Sequence, residues 1–151
     1  MLKLESSQVL QFQVEKINAC ATLSFVNKVI LLPYLEKVPG SPRHLAGLMN
    51  HAGQSIPVID LAMYLQLNAE QTYTLATPIV ICTMGSRQMG LIVKRVLGLS
   101  MMQADSLQMA DQFGASHSPF IATIHLNSAL TFLLNIPKLM SDHANIGDQE
   151  N

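Results

Sequence analysis

Enzyme chemistry and metal binding both need thiols, imidazoles or carboxylates that converge, and few residues of this chain are spaced to do so. Cys20 and Cys82 lie far apart with no Cys-x-x-Cys pair, so no zinc-spaced set exists. Both stand in apolar, strand-like runs, where burial raises a thiol's pKa and keeps it inert. Of the five histidines, His44 and His51 flank a bend and need not converge. His117 falls in a Ser-rich loop, His125 on the polar side of a strand, and His143 in the polar tail, so exposed side chains are expected rather than ligands. Asp60 with His51 could be drawn as half a catalytic triad. A simpler role is available, because Asp60 directly precedes the apolar run Leu61-Ala-Met-Tyr-Leu65, where a carboxylate accepts the free amides of a helix's first turn. No phosphate-binding or dinucleotide glycine fingerprint occurs, and no two carboxylates suggest paired acid–base work. The expectation is a protein with no catalytic residues, no metal and no cofactor; its strongest enzymatic alternative, a small-ligand-binding or hydrolytic β-barrel, would rest on Cys82, His125 and Asp60 alone.

The elements that would position any site are mostly strands. Val9-Leu-Gln-Phe-Gln-Val14 alternates apolar and polar, as a half-buried strand does. Residues 19–29 hold two short apolar runs, and Pro33, Pro39-Gly40 and Pro42 then make 33–42 irregular. Residues 42–50 read as a short helical turn running into a strand, and 53–59 as a strand after a glycine turn. Residues 60–65 read as a short helix capped by Asp60, and 67–74 as a connector. Residues 78–83 and 88–93 flank Met84-Gly-Ser-Arg87 as a hairpin, 95–102 continue extended, and 103–118 form a polar loop. A second hairpin joins 120–126 to 129–134 through Asn127-Ser128, and Asn135 caps a short helix that tolerates Pro137 near its start. The last residues, 141–151, read as a flexible tail. Many short strands about ten residues apart favour a small barrel or sandwich over parallel α/β units.

Composition narrows the function. The chain has 151 residues, 49% of them apolar and only 13% charged, with a net charge of -1. Such a chain builds a sizeable core, is not intrinsically disordered, and lacks the positive field that nucleic acid requires. Low charge with much apolar sequence fits either a thick core or exposed apolar surface of the kind that marks interaction sites. The nine methionines suit core gaps or adaptable interfaces, and the pair Met101-Met102 is the one expected at an interface. Residues 112–137 carry no Lys, Arg, Asp or Glu but are interrupted by polar side chains, so no membrane span is expected. The N-terminal residues lack a signal-peptide pattern, and two unpaired cysteines suit the cytoplasm.

One segment carries a specific signal: Val38-Pro-Gly-Ser-Pro-Arg-His-Leu-Ala-Gly-Leu-Met-Asn-His-Ala-Gly-Gln-Ser-Ile-Pro-Val-Ile-Asp-Leu61. It resembles the CheW-like domain of bacterial chemotaxis coupling proteins, with Pro39, Pro42, Gly47, Asn50, Gly53, Ile56, Pro57, Val58, Ile59, Asp60 and Leu61 at the family's positions. Residues 77–82, Gly90-Leu-Ile-Val93 with Val96, the hairpin 121–134 and the closing helix 136–140 resemble the elements that follow in that family. The resemblance covers roughly residues 8–140. It implies a mainly β fold of two SH3-like five-stranded β-barrel subdomains with a few short helices, here divided approximately as 8–66 and 77–140. It also implies a non-catalytic adaptor that couples the cytoplasmic tip of chemoreceptors to the regulatory domain of a histidine kinase, in chemotaxis or surface motility.

Two departures bear on that role. Ala52 stands where the family commonly has Arg, whose planar fork of donors a methyl cannot replace. Lys94 stands where it commonly has Asp. Either the partners have changed, or an ion pair shared by the two positions is lost; alternatively Lys94 is merely a solvated surface residue. His51 could restore part of the missing positive charge as pH falls. Candidate partner-binding residues on these grounds are Asn50, His51, Ala52, Gly53, Lys94 and Arg95. A diverged interaction module with another partner, or self-association, is the competing reading.

Overall fold

The computed structural model describes residues 6–67, 72–110 and 118–143. Eleven strands follow the alternation and the turns: β1 (Ser7–Val14), β2 (Ile17–Thr22), β3 (Val26–Leu31), β4 (Leu45–His51), β5 (Gln54–Asp60), β6 (Pro78–Met84), β7 (Arg87–Ile92), β8 (Arg95–Met102), β9 (Gln108–Met109), β10 (Phe120–Leu126) and β11 (Ala129–Leu134). Two short helices, α1 (Leu61–Tyr64) and α2 (Ile136–Asp142), begin at the expected caps. The Asp60 side chain accepts the Met63 amide at 3.2 Å, and the Asn135 side chain accepts the Lys138 amide at 3.1 Å. The expected helical turn at 42–45 is a single turn closed by the Leu45 amide on the Pro42 carbonyl at 3.0 Å.

The strands form two sheets, ordered β8-β1-β2-β11-β10-β9 and β3-β6-β7-β5-β4. Each contains two hairpins whose inner strands meet in parallel, β2 with β11 and β5 with β7. One sheet has the five strands the family resemblance implies. The other has six, because the polar stretch read as loop contributes a 3-10 turn and the two-residue β9.

The sheets do not follow the division at 8–66 and 77–140. One takes β3 to β7, and the other joins β1 and β2 to β8 through β11. The N-terminal hairpin has two edges to satisfy, and strands from the far end of the chain pair with both. The expected tail is also shorter. Ser141 and Asp142 complete α2, and His143 caps it with only 4% of its surface exposed. Residues 144–151 lie outside the described residues.

Buried side chains fall into three clusters, one inside each sheet and one between the sheets. Val9, Cys20, Met102, Ile124, Leu126 and Leu133 fill the first sheet, and Met49, Ile56, Val58, Ile79, Ile81 and Ile92 the second. The third and largest is a seam. Leu10, Phe12 and Val14 of β1 meet Val80, Cys82, Met89 and Leu91 of β6 and β7, with Ile136, Leu139 and Met140 of α2 closing over them. The four seam residues on β6 and β7 and the three on β1 are all but fully buried, which at about 25 cal/mol per Å² of apolar area makes the seam a major contributor to stability.

Candidate functional site

The seam does not end where its buried residues end. Cross-strand partners share a face of a sheet, so registers show which side chains continue the seam outward. On β3, at one edge of its sheet, Val29 pairs with the seam residue Val80, and Leu31 with Pro78. Both therefore lie on the seam side, yet Leu31 is 61% exposed. On β8, at the edge of the other sheet, Val96 pairs with Phe12, Leu99 with Leu10 and Met101 with Gln8. Leu99 is 57% and Met101 53% exposed. Val26 at the start of β3 and Val96 near the start of β8 both pack against the seam cluster. Two apolar rows thus run out from one core along two edge strands. A bulge at Leu97, between Val96 opposite Phe12 and Gly98 opposite Gln11, bends β8 and exposes a further apolar side chain.

The suspected interface pair divides across the sheet. Met101 faces outward, whereas Met102 is buried inside its sheet. Alternation along a strand sends neighbours to opposite faces, so only one of an adjacent pair can reach a partner.

The sequence candidates fall into two groups that the topology holds apart. Asn50, His51, Ala52 and Gly53 form the β4–β5 turn, with His51 opposite Gln54. Ala52 and Gly53 both have positive φ, 53° and 84°, as a two-residue type I′ loop requires, and the Asn50 side chain accepts the Gly53 amide at 3.1 Å. Lys94 and Arg95 follow the other end of the sheet. There Ile92 pairs with Asp60 at the far end of β5, and the Lys94 amide donates to the Gln13 carbonyl at 2.9 Å. The whole of β5, Gln54–Asp60, separates the groups, about 20 Å of extended chain. Ala52 and Lys94 are therefore not two halves of one lost ion pair. Nor are His51 and Asp60 parts of a triad, since they occupy opposite ends of the same hairpin. Ala52, Lys94 and Arg95 are all exposed.

A model of the CheW-like domain matches residues 8–144. The chain belongs to the CheW-like family. It is 25% identical over 142 residues to a protein named chemotaxis protein CheW from Thermotoga maritima, covering 92% of this chain and 91% of that one. Its fold resembles the crystal structure of scaffolding protein TtCheW from Thermoanaerobacter tengcongensis. The TM-score is 0.77 at 18% identity, over 86% of this chain and 89% of that one.

Within this CheW-like protein the thiols behave as their surroundings predict. Cys20 and Cys82 are both buried, and desolvation pushes each thiol up to about 12. No helix among the described residues is long and apolar enough to cross a membrane. No group of three or more metal-ligating side chains occurs among them either.

Sequence reading missed one cluster. His143, expected in an exposed tail, is buried, and its Nε2 lies 3.0 Å from Nε2 of His44. The Tyr64 ring stands 5.2 Å from the His44 ring and 5.3 Å from the His143 ring, and its hydroxyl donates to Asp142 at 2.6 Å. The signal was present in part, since His143 falls one helical turn beyond Leu139 and so shares its inward face.

Proposed function

We propose that this chain is a non-catalytic chemotaxis adaptor, acting in the cytoplasm, that couples the cytoplasmic tip of chemoreceptors to the regulatory domain of a histidine kinase. The observation that carries the reading is the seam with its two exposed apolar rows, Val29 and Leu31 on β3 and Leu97, Leu99 and Met101 on β8. Apolar rows flanking a buried core can take an amphipathic helix of a partner, with anchors set by side chains rather than by charge. Family membership and the names of the relatives support the same role.

The β4–β5 turn and the pair Lys94–Arg95 then mark two separate contacts. A kinase domain that meets Arg at the turn in other family members would meet the methyl of Ala52 here. One that meets Asp after β7 would meet Lys94. Because the two groups lie at opposite ends of one sheet, each can diverge independently. This independence favours a second reading, in which the scaffold is retained and one of its partners has been exchanged.

The experiment is a pair of titrations, against the regulatory domain of the same organism's chemotaxis kinase and against a receptor cytoplasmic fragment. Wild type is compared with Leu99→Lys and with the double variant Ala52→Arg/Lys94→Asp. The adaptor reading expects saturable binding of both partners by wild type, with receptor binding lost in Leu99→Lys. Kinase binding seen only with the double variant would establish an exchanged partner. Absence of binding to both fragments by every variant would overturn the adaptor role.

A further inference from the structure

The contact between His44 and His143 has room for one proton. Nδ1 of His143 lies 2.7 Å from the Leu139 carbonyl, which can only accept, so Nδ1 carries a hydrogen. In the neutral ring Nε2 then presents a lone pair, and His44 must donate from its own Nε2 across 3.0 Å. A first added proton enters on Nδ1 of His44, where burial of the ring opposes it. A second would place N–H against N–H between two cationic rings, and it can be accommodated only by separating them.

The surroundings compensate a second charge only in part, through Asp142, whose carboxyl is held low first by the Tyr64 hydrogen bond and then by Lys138 and His143. Asp142 is the nearest anion, and it already accepts from Tyr64 at 2.6 Å and pairs with Lys138 at 3.3 Å. Arg87, from the β6–β7 hairpin, donates to the Met140 carbonyl at 3.4 Å and adds a cation. Arg43, beside His44 in the chain, is exposed. Burial, and then the charge of His143, hold His44 below the usual imidazole value.

The contact joins three parts of the molecule. His44 leads into β4 and its carbonyl accepts the Asp60 amide at 2.8 Å; Tyr64 belongs to α1; and His143 ends α2, whose Leu139 and Met140 are buried in the seam. We propose that His44 and His143 form a one-proton latch that holds the last turn of α2 against α1 and the approach to β4, and that acidification opens it. The docked pair binds fewer protons than the separated rings, so docking is complete above the usual imidazole range and weakens as pH falls below it. Opening would loosen the cover over the seam and couple pH to whatever binds there.

The test is amide hydrogen exchange by NMR on the full chain at pH 7.5 and 5.0, corrected for intrinsic exchange. It reads the His143 amide, which bonds Met140, and the Leu139 amide, which bonds Asn135. Wild type should lose protection severalfold at these amides at pH 5.0, while the core amide of Cys20 is unchanged. In His44→Gln the side-chain amide can donate to neutral His143 or rotate to accept from its protonated form, so the pH dependence should vanish with docking retained. A purely structural contact would instead lower protection equally at both pH values. Equal protection of wild type at both pH values, an undiminished pH effect in His44→Gln, or parallel loss at Cys20 would each overturn the latch.

Discussion

The hydroxyl of Tyr73 donates to Oδ2 of Asp60, a carboxylate with no solvent exposure. The other oxygen, Oδ1, accepts the Met63 amide at 3.2 Å. One side chain therefore caps α1 and anchors the segment leading into β6. Burial, with the hydrogen bond to Asp60 adding to it, raises the Tyr73 phenol above its ordinary range, so the hydroxyl remains a donor throughout the physiological range. Tyr73→Phe should cost about 1–3 kcal/mol, because it leaves a buried carboxyl oxygen without its donor. Asp60→Ala should cost at least as much, since cap and anchor go together. Urea unfolding of both variants measures this, and a change below about 0.5 kcal/mol would contradict the double role.

Gly90 is the second test. A Cβ there would sit 3.0 Å from Cγ2 of Ile79 and 3.2 Å from Cγ2 of Val58, inside the five-stranded sheet. Two β-branched side chains on neighbouring strands have little freedom to give way. Gly90→Ala should destabilise by about 1–3 kcal/mol. In a domain of this size that lowers Tm by roughly 2–4 °C per kcal/mol, measurable by calorimetry.

At the β4–β5 turn the expected change has the opposite sign. Ala52 holds φ at 53°, a region costly for residues other than Gly, Asn and Asp. Ala52→Asn should stabilise by about 0.5–1 kcal/mol in thermal unfolding, since Asn-Gly is the preferred pair for this loop. Ala52→Arg retains the strain, so any change it makes in kinase binding would come from its donors and charge.

Thiol reactivity tests the burial of the cysteines. With both thiols pushed up to about 12, neither is a thiolate at pH 8, and neither is open to solvent. A disulfide reagent should titrate no thiol in the native protein and two after denaturation. Rapid reaction of one thiol in native protein would show that its cluster opens locally.

What the sequence determined by itself was local. The caps at Asp60 and Asn135, the turns at 52–53, 85–86 and 127–128, and the alternation of β1, β10 and β11 depend on residues within a few positions of one another. So does the burial of Cys20 and Cys82, which follows from the runs that hold them. The ordered set of motifs, from Pro39–Leu61 through Gly90–Val93 to the last hairpin and closing helix, pointed to the family. What only the tertiary structure decided was partnership. β2 finds β11 from the other end of the chain, and nothing in either strand names the other, because backbone hydrogen bonds are the same for every sequence. Strand pairing of this kind, β5 with β7 and β1 with β8, separates Ala52 from Lys94, sends Met101 outward while burying Met102, and turns an apolar composition into a seam with two open rows. It also brings His143 onto His44, a contact between residues 99 positions apart whose chemistry lies in facing one another.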